Sequence, residues 1–167
     1  MNRSLIAVGI AILVLVSTGQ SQTRQRESLR GLNGVYVYVQ PVAKEVEVGG
    51  LSTTQVQTAV EKQLREAGIS LQSEPQAANG SATLVIVLST VKRPAEEAYL
   101  FDVEVSLLQA VHLARRNDPD PFPGQTWSQK ALGITGPKRM DLMLEPLKVR
   151  VSDFINDYLS VNPKPQP

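Results

Sequence analysis

The sequence predicts an α+β fold: a two-layer α/β sandwich in the order β-α-β-β-β-β-α, with a mostly antiparallel sheet and two helices on one face. Three observations predict it. In the stretch 138–159, Met140, Leu144, Leu147, Val151, Phe154 and Tyr158 recur in steps of four and three, on one stripe of a helix. Leu142, Ile155 and Leu159 widen that stripe, and so broad an apolar face needs a sheet or helix to bury it. Residues 34–42 and 99–113 alternate with period two, as half-buried strands do. A strand-helix-strand order near the start implies a parallel pair, after which short turns imply an antiparallel meander.

Taken in order, Val35, Val37 and Val39 should face the core of the first strand, with Tyr36 and Tyr38 opposite, and Pro41 ends regular pairing. Residues 44–50 read as a charged connection. Ser52 and Gln55 have the spacing of a capping box, Leu51 is placed for a hydrophobic staple, and Val56, Val60 and Leu64 mark the buried side of a helix. Gly68 stands where a left-handed residue closes it. Residues 69–72 read as a short strand and 83–91, apolar on both faces, as a central one. The alternation over 99–113 exceeds the usual strand length, so a bulge or strong bend is expected near Leu108 and Gln109. A loop over 114–124 leads to a strand at 125–134 carrying Trp127. Pro146 requires that the last helix kink or begin there.

At 167 residues, with 42% hydrophobic and 20% charged residues, the chain has enough apolar surface for one core. Arg3 precedes an unbroken apolar and glycine run from Leu5 to Val16, and Ser17, Thr18, Gly19 and Ser21 follow. This is the layout of a secretory signal peptide, and the run falls short of the about 20 apolar residues of a membrane span. The expected organisation is a signal peptide over 1–21, a flexible linker over 22–32, a single sandwich domain over 33–162 and a disordered tail over 163–167. The expected location is the periplasm or extracellular space. The alternative is an uncleaved segment anchoring the chain in the inner membrane, its only expected membrane contact.

With no cysteine there are no disulfides and no thiolate chemistry. The formal charge is +1, from 17 basic and 16 acidic residues, without the clustered excess of a nucleic-acid binder. His112 is the only histidine and has no nucleophile in view, so it reads as structural. Asn117-Asp118-Pro119-Asp120 lacks the spacing of a calcium loop, Ser128 lacks a nucleophile elbow, and Gly49-Gly50 and Gly133-x-x-Gly136 are not phosphate loops. Glu96-Glu97 shows no acid-base partner. No catalytic, cofactor or metal residues are expected, and an enzyme is not expected.

The run Phe154-Ile155-Asn156-Asp157-Tyr158-Leu159-Ser160-Val161-Asn162-Pro163-Lys164 resembles the ending of a widespread group of uncharacterised exported bacterial proteins. Gly50-Leu51-Ser52, Leu64 to Ile69 and Thr126-Trp127-Ser128 share the likeness. It implies an exported compartment and this fold, but no mechanism. The layout is also similar, more distantly, to small periplasmic α/β accessory domains.

If both helices cover one side of the sheet, Tyr36, Tyr38, Val85, Val87, Asp102 and Glu104 share the other. Tyrosines beside carboxylates form a candidate contact patch, with Tyr36, Tyr38, Asp102 and Glu104 as its candidate partner-binding residues. The expected function is a non-catalytic cell-envelope protein that binds a protein partner or itself. The alternative is a binding domain for a small apolar or envelope ligand. Export predicts that mass spectrometry of the native protein finds no peptide from Leu5 to Val16. An intact N-terminus in the soluble cytoplasm would refute it.

Overall fold

The computed structural model describes residues 21–75, 82–115 and 120–163. The expected signal segment, apart from residue 21, and most of the expected tail lie outside the described residues, as does Asn117-Asp118-Pro119. Helical residues 21–27 (α1) lead into β1 (Val35–Val39), α2 (Lys44–Val48), α3 (Thr53–Glu66), β2 (Ala82–Arg93), β3 (Ala98–Val111), β4 (Phe122–Thr135) and α4 (Leu144–Val161). The strands form one sheet in the order β1-β2-β3-β4. β1 runs parallel to β2, and the other two pairings are antiparallel. An α+β sandwich is therefore the fold, as the periodicities predict.

Local chemistry starts and stops α3. Ser52 Oγ accepts from the Gln55 N–H while the Gln55 side chain accepts from the Ser52 N–H, a complete capping box. At the other end Gly68 sits at φ 77°. The Ile69 N–H reaches back to the Leu64 carbonyl at 3.0 Å and the Gly68 N–H to Arg65 at 2.9 Å, closing a Schellman motif. Val56, Val60 and Leu64 are buried against the sheet with Val35, Val37, Val39, Leu84, Ile86, Val103, Val105 and Leu107. Gln63 Nε2 donates to the Lys148 carbonyl and to Ser152 Oγ, tying α3 to α4 on the same side.

Pro146 marks where α4 begins rather than a kink within it. Residues Met140–Met143 form a 3-10 turn and the α-helix starts at Leu144. Pro146 thus falls in the first turn, whose N–H groups have no intrahelical partner anyway. The 3-10 turn also corrects the expected stripe. With three residues per turn Met140 and Met143 eclipse and are both buried, which turns Leu142 outward.

Three further expectations are corrected. The stretch 22–32, expected as a flexible linker, is helical to residue 27 and docked, with Leu29 and Leu32 in the core. Arg26 Nε donates to Asp157 Oδ1 at 2.9 Å, Tyr158 Oη to the Leu32 carbonyl at 3.0 Å, and Asn162 Nδ2 to the Leu29 carbonyl at 2.8 Å. Two leucines three residues apart anchor a segment whose arginines suggested solvent. Residues 69–72 contribute one parallel bridge, Val35 to Leu71, instead of a strand. The charged connection contains α2, because Val46 is buried while Glu45 and Glu47 face water.

A bulge falls between Leu107 and Leu108, close to the expected place, but its extra residue belongs to β4 and not to the long strand. Leu107 pairs with Trp127 and Leu108 with Gln125, leaving Thr126 as the extra residue. Gln109 Nε2 donates to Thr126 Oγ1 at 2.6 Å and to the Ser28 carbonyl at 3.0 Å, so one side chain holds the bulge and the N-terminal segment together. Trp127, buried beyond the bulge, meets Phe154 edge-to-face at 5.3 Å, and its Nε1 donates to Asp157 Oδ2 at 2.9 Å. Burial also raises the phenol of Tyr158, whose ring leans on Phe154, above its ordinary pKa of 10.0. Phe154 is fully enclosed, so Phe154→Ala should cost about 3–5 kcal/mol in chemical denaturation. A loss within about 0.5 kcal/mol would place it outside the core.

Candidate functional site

Alternation along the strands decides what the second sheet face carries. With the valines of β1 inward, Tyr36 and Tyr38 leave the other side beside their β2 partners Thr83 and Val85. Val85 in turn pairs with Ser106, and Ser106 with Ser128. Asp102 and Glu104 share that face on β3, opposite Ser89 and Val87 of β2 and Leu132 and Lys130 of β4. All four candidate residues therefore leave the face away from α3 and α4.

They do not converge. Two strand spacings and at least one row separate the tyrosines from the carboxylates. Tyr38 is 44% exposed and borders an apolar groove of about 510 Å³ with Thr83, Val85, Leu108 and Phe122. Tyr36 is half-buried and borders a smaller cleft of about 390 Å³ lined also by Gln57, Glu61 and Arg65 of α3 and by Leu71 and Gln72. Glu104 is already engaged: its Oε2 accepts from Lys130 Nζ at 2.9 Å across the β3-β4 pair. That hydrogen bond, then the attraction of Glu104 and Asp102, raises the Lys130 amine above its ordinary 10.5. Asp102 Oδ1 is shielded from solvent without a hydrogen-bond partner among the described residues.

Around this ion pair the face is apolar. Val91, Leu100, Leu132 and Ile134 are exposed, Leu132 at 83% and Ile134 at 59%. The pairing Leu100 to Ile134 and Val91 to Leu100 makes them one patch. The parity of β4 beyond Trp127 holds the signal for it, since Leu132 and Ile134 alternate with inward residues. A polar cleft of about 330 Å³ lies at the β4 edge between α1 and α4, lined by Gln25, Arg26, Gln129, Arg150, Asp153 and Asp157. Its charges are largely internal, with Arg26 on Asp157 and Arg150 on Asp153.

Among the described residues no group of three or more His, Cys, Asp or Glu could hold a metal ion. His112 lies just past the end of β3, exposed. No described helix is long and apolar enough to cross a membrane.

No protein-family model and no curated protein matches the chain. Among solved structures it is similar to the minor lipoprotein of Acinetobacter baumannii, with a TM-score of 0.35 and 11% identity over 83% of this chain and 99% of that one. A likeness at that level carries no functional inference.

The Glu104–Lys130 geometry predicts that Glu104→Gln moves the Lys130 titration down toward its ordinary value, as read by NMR of the lysine ε-methylene. An unchanged midpoint would mean the pair does not form in solution.

Proposed function

We propose that this chain is a non-catalytic, exported cell-envelope protein that works as a protein-binding or accessory module. The observation that carries the reading is the uncovered sheet face: α3 and α4 bury one side of the sheet, while the other presents Tyr38, Val91, Leu100, Leu132 and Ile134 around one ion pair. Exposed apolar area of this kind, with aromatic side chains at its border, favours contact with another macromolecule. The leader-like N-terminus and the C-terminal run that resembles exported bacterial proteins support the compartment. Tyrosine suits such a face because it buries much apolar area and keeps a hydroxyl that tolerates water. Asp102, Glu104 and Lys130 would steer orientation by charge more than supply affinity.

The groove beside Tyr38 favours a second reading, a site for a small apolar ligand. Its volume of about 510 Å³ falls within the range of about 300–1,000 Å³ of small-molecule sites.

Copurification from the native envelope, with the wild-type chain and with Tyr36→Ala combined with Tyr38→Ala, tests both. The double variant is predicted to keep its circular-dichroism spectrum and lose the partner protein. Loss of a bound small molecule instead would select the second reading. Unfolding like a core variant would show that the tyrosines are structural, and normal binding of every copurified partner would make this face ordinary surface.

A further inference from the structure

A sheet has two edges, and this one treats them differently. At the β1 edge the strand is short and the segment after α3 lies on it: the Val35 N–H donates to the Ser70 carbonyl at 3.0 Å, and the Gln72 N–H to the Val35 carbonyl at 2.9 Å. β4 is 14 residues long and only its first half is shielded. There Ser28 Oγ donates to the Thr126 carbonyl at 3.3 Å, and the Ser128 N–H points at Gln25 Oε1 at 3.5 Å.

The Ser128 contact fixes the direction of the remaining groups. In an antiparallel strand alternate residues send both N–H and C=O to the same edge, and β4 pairs with β3 without a register shift from Ser128 to Thr135. Lys130, Leu132 and Ile134 therefore turn their backbone donors and acceptors to the open edge. Among the described residues no hydrogen bond reaches those groups. The side chains of the same residues stand on the exposed face. Long, apolar, uncovered edges are templates for another strand.

The geometry points to a second copy of this chain as that strand, paired β4 to β4′ antiparallel about a two-fold axis at Leu132. In that register Leu132 faces Leu132′, and Lys130 and Ile134 face Ile134′ and Lys130′. Each of these pairs is edge-facing on both sides, so donors meet acceptors at every position. No like charges oppose each other: each lysine lies against isoleucine, with its own Glu104 at 2.9 Å. A formal net charge of +1 adds little long-range repulsion between copies. Pairing ends where each copy's own α1 segment covers Thr126 to Ser128. Two four-stranded sheets would become one of eight, and the Leu100, Leu132 and Ile134 patches would join across the axis. This surface shares Leu100, Leu132 and Ile134 with the face proposed above and deepens that reading by naming a second copy as one occupant. Because it lies at the opposite edge from Tyr36 and Tyr38, self-association and loss of a partner in the tyrosine double variant are separate readouts.

The absence of cysteine makes the register testable in the full chain. Leu132→Cys puts two thiols directly opposite at the axis, within the Cα separation a disulfide accepts. Lys130→Cys alone puts them four residues apart along the strands, about 13 Å. Under mild oxidation Leu132→Cys should form a covalent dimer in high yield. Lys130→Cys and Ile134→Cys should each stay monomeric alone and cross-link when mixed. In sedimentation the wild type should exceed the 18.2 kDa of one chain, and Leu132→Lys should weaken self-association at least tenfold with an unchanged circular-dichroism spectrum. A wild type that stays monomeric at millimolar concentration would overturn the inference, as would equal cross-linking of all three single-cysteine variants.

Discussion

The carboxylate of Asp157 connects three parts of the chain that are far apart in sequence. One oxygen takes the indole N–H of Trp127 and the other takes Arg26, each at 2.9 Å. The magnitudes show which contact matters. The Arg26 side chain is 47% exposed, and ion pairs in that setting contribute about 0–1 kcal/mol. Leaving a buried indole N–H without a partner costs about 1–3 kcal/mol. Enclosing the ring also removes about 150–250 Å² from water. Asp157 therefore acts chiefly by making it possible to bury Trp127. Once Trp127 is inside, Phe154 can pack edge-on against it, and α4 is fixed on the β3-β4 half of the sheet.

The same helix then binds the N-terminal segment. Tyr158 and Asn162, one and two turns from Phe154, hold the carbonyls of Leu32 and Leu29, and Asn162 Oδ1 takes the Gly31 N–H at 2.7 Å. The last turns of α4 and its C-cap thus hold both β4 and the N-terminal segment. Phe154 and Asp157 hold Trp127 while Tyr158 and Asn162 hold Leu32 and Leu29, and a helix needing only an apolar stripe would not require an aspartate, a tyrosine hydroxyl and an asparagine at those positions.

Much of this was legible because periodic burial leaves a periodic trace. Val37, Val60 and Leu64, and Leu147, Val151 and Phe154 on the helical stripe, are buried as their periodicities predict, together with Val103 and Val105 of the alternating stretch 99–113. The capping box and Gly68 act through neighbours in sequence, so they could be read locally. What could not be read depends on distant partners. Leu29 and Leu32 look like isolated apolar residues in a basic stretch until α4 supplies their setting. Val46 needs the rest of the core to make α2 worth forming. The outward turn of Leu142 follows from a 3-10 turn that the proline after it favours but does not announce. Parity places the tyrosines and carboxylates on one face of the sheet. Parity carries no information about lateral distance, however, so their separation across the sheet appeared only with the strand order.

The asymmetry of the sheet edges has the same origin as the packing of the termini. Residues 70–72 cover β1 because Gly68 and Ile69 turn the chain back toward it directly after α3. The α1 segment covers β4 because Leu29 and Leu32 must reach the core beside α4, and Ser28 and Gln25 are carried against Thr126 and Ser128 by that anchoring. Both covers are by-products of burying apolar side chains, and neither extends past the residues that do the burying. β4 continues for seven residues beyond Ser128 because β3 does, and β3 is long because it pairs with the twelve-residue β2 on its other side. Extending the α1 cover along Lys130 to Ile134 would require further apolar anchors ahead of Leu29, and Arg24, Gln25 and Arg26 stand there instead. The open half of β4 and its apolar outer face thus follow from where the core anchors stop.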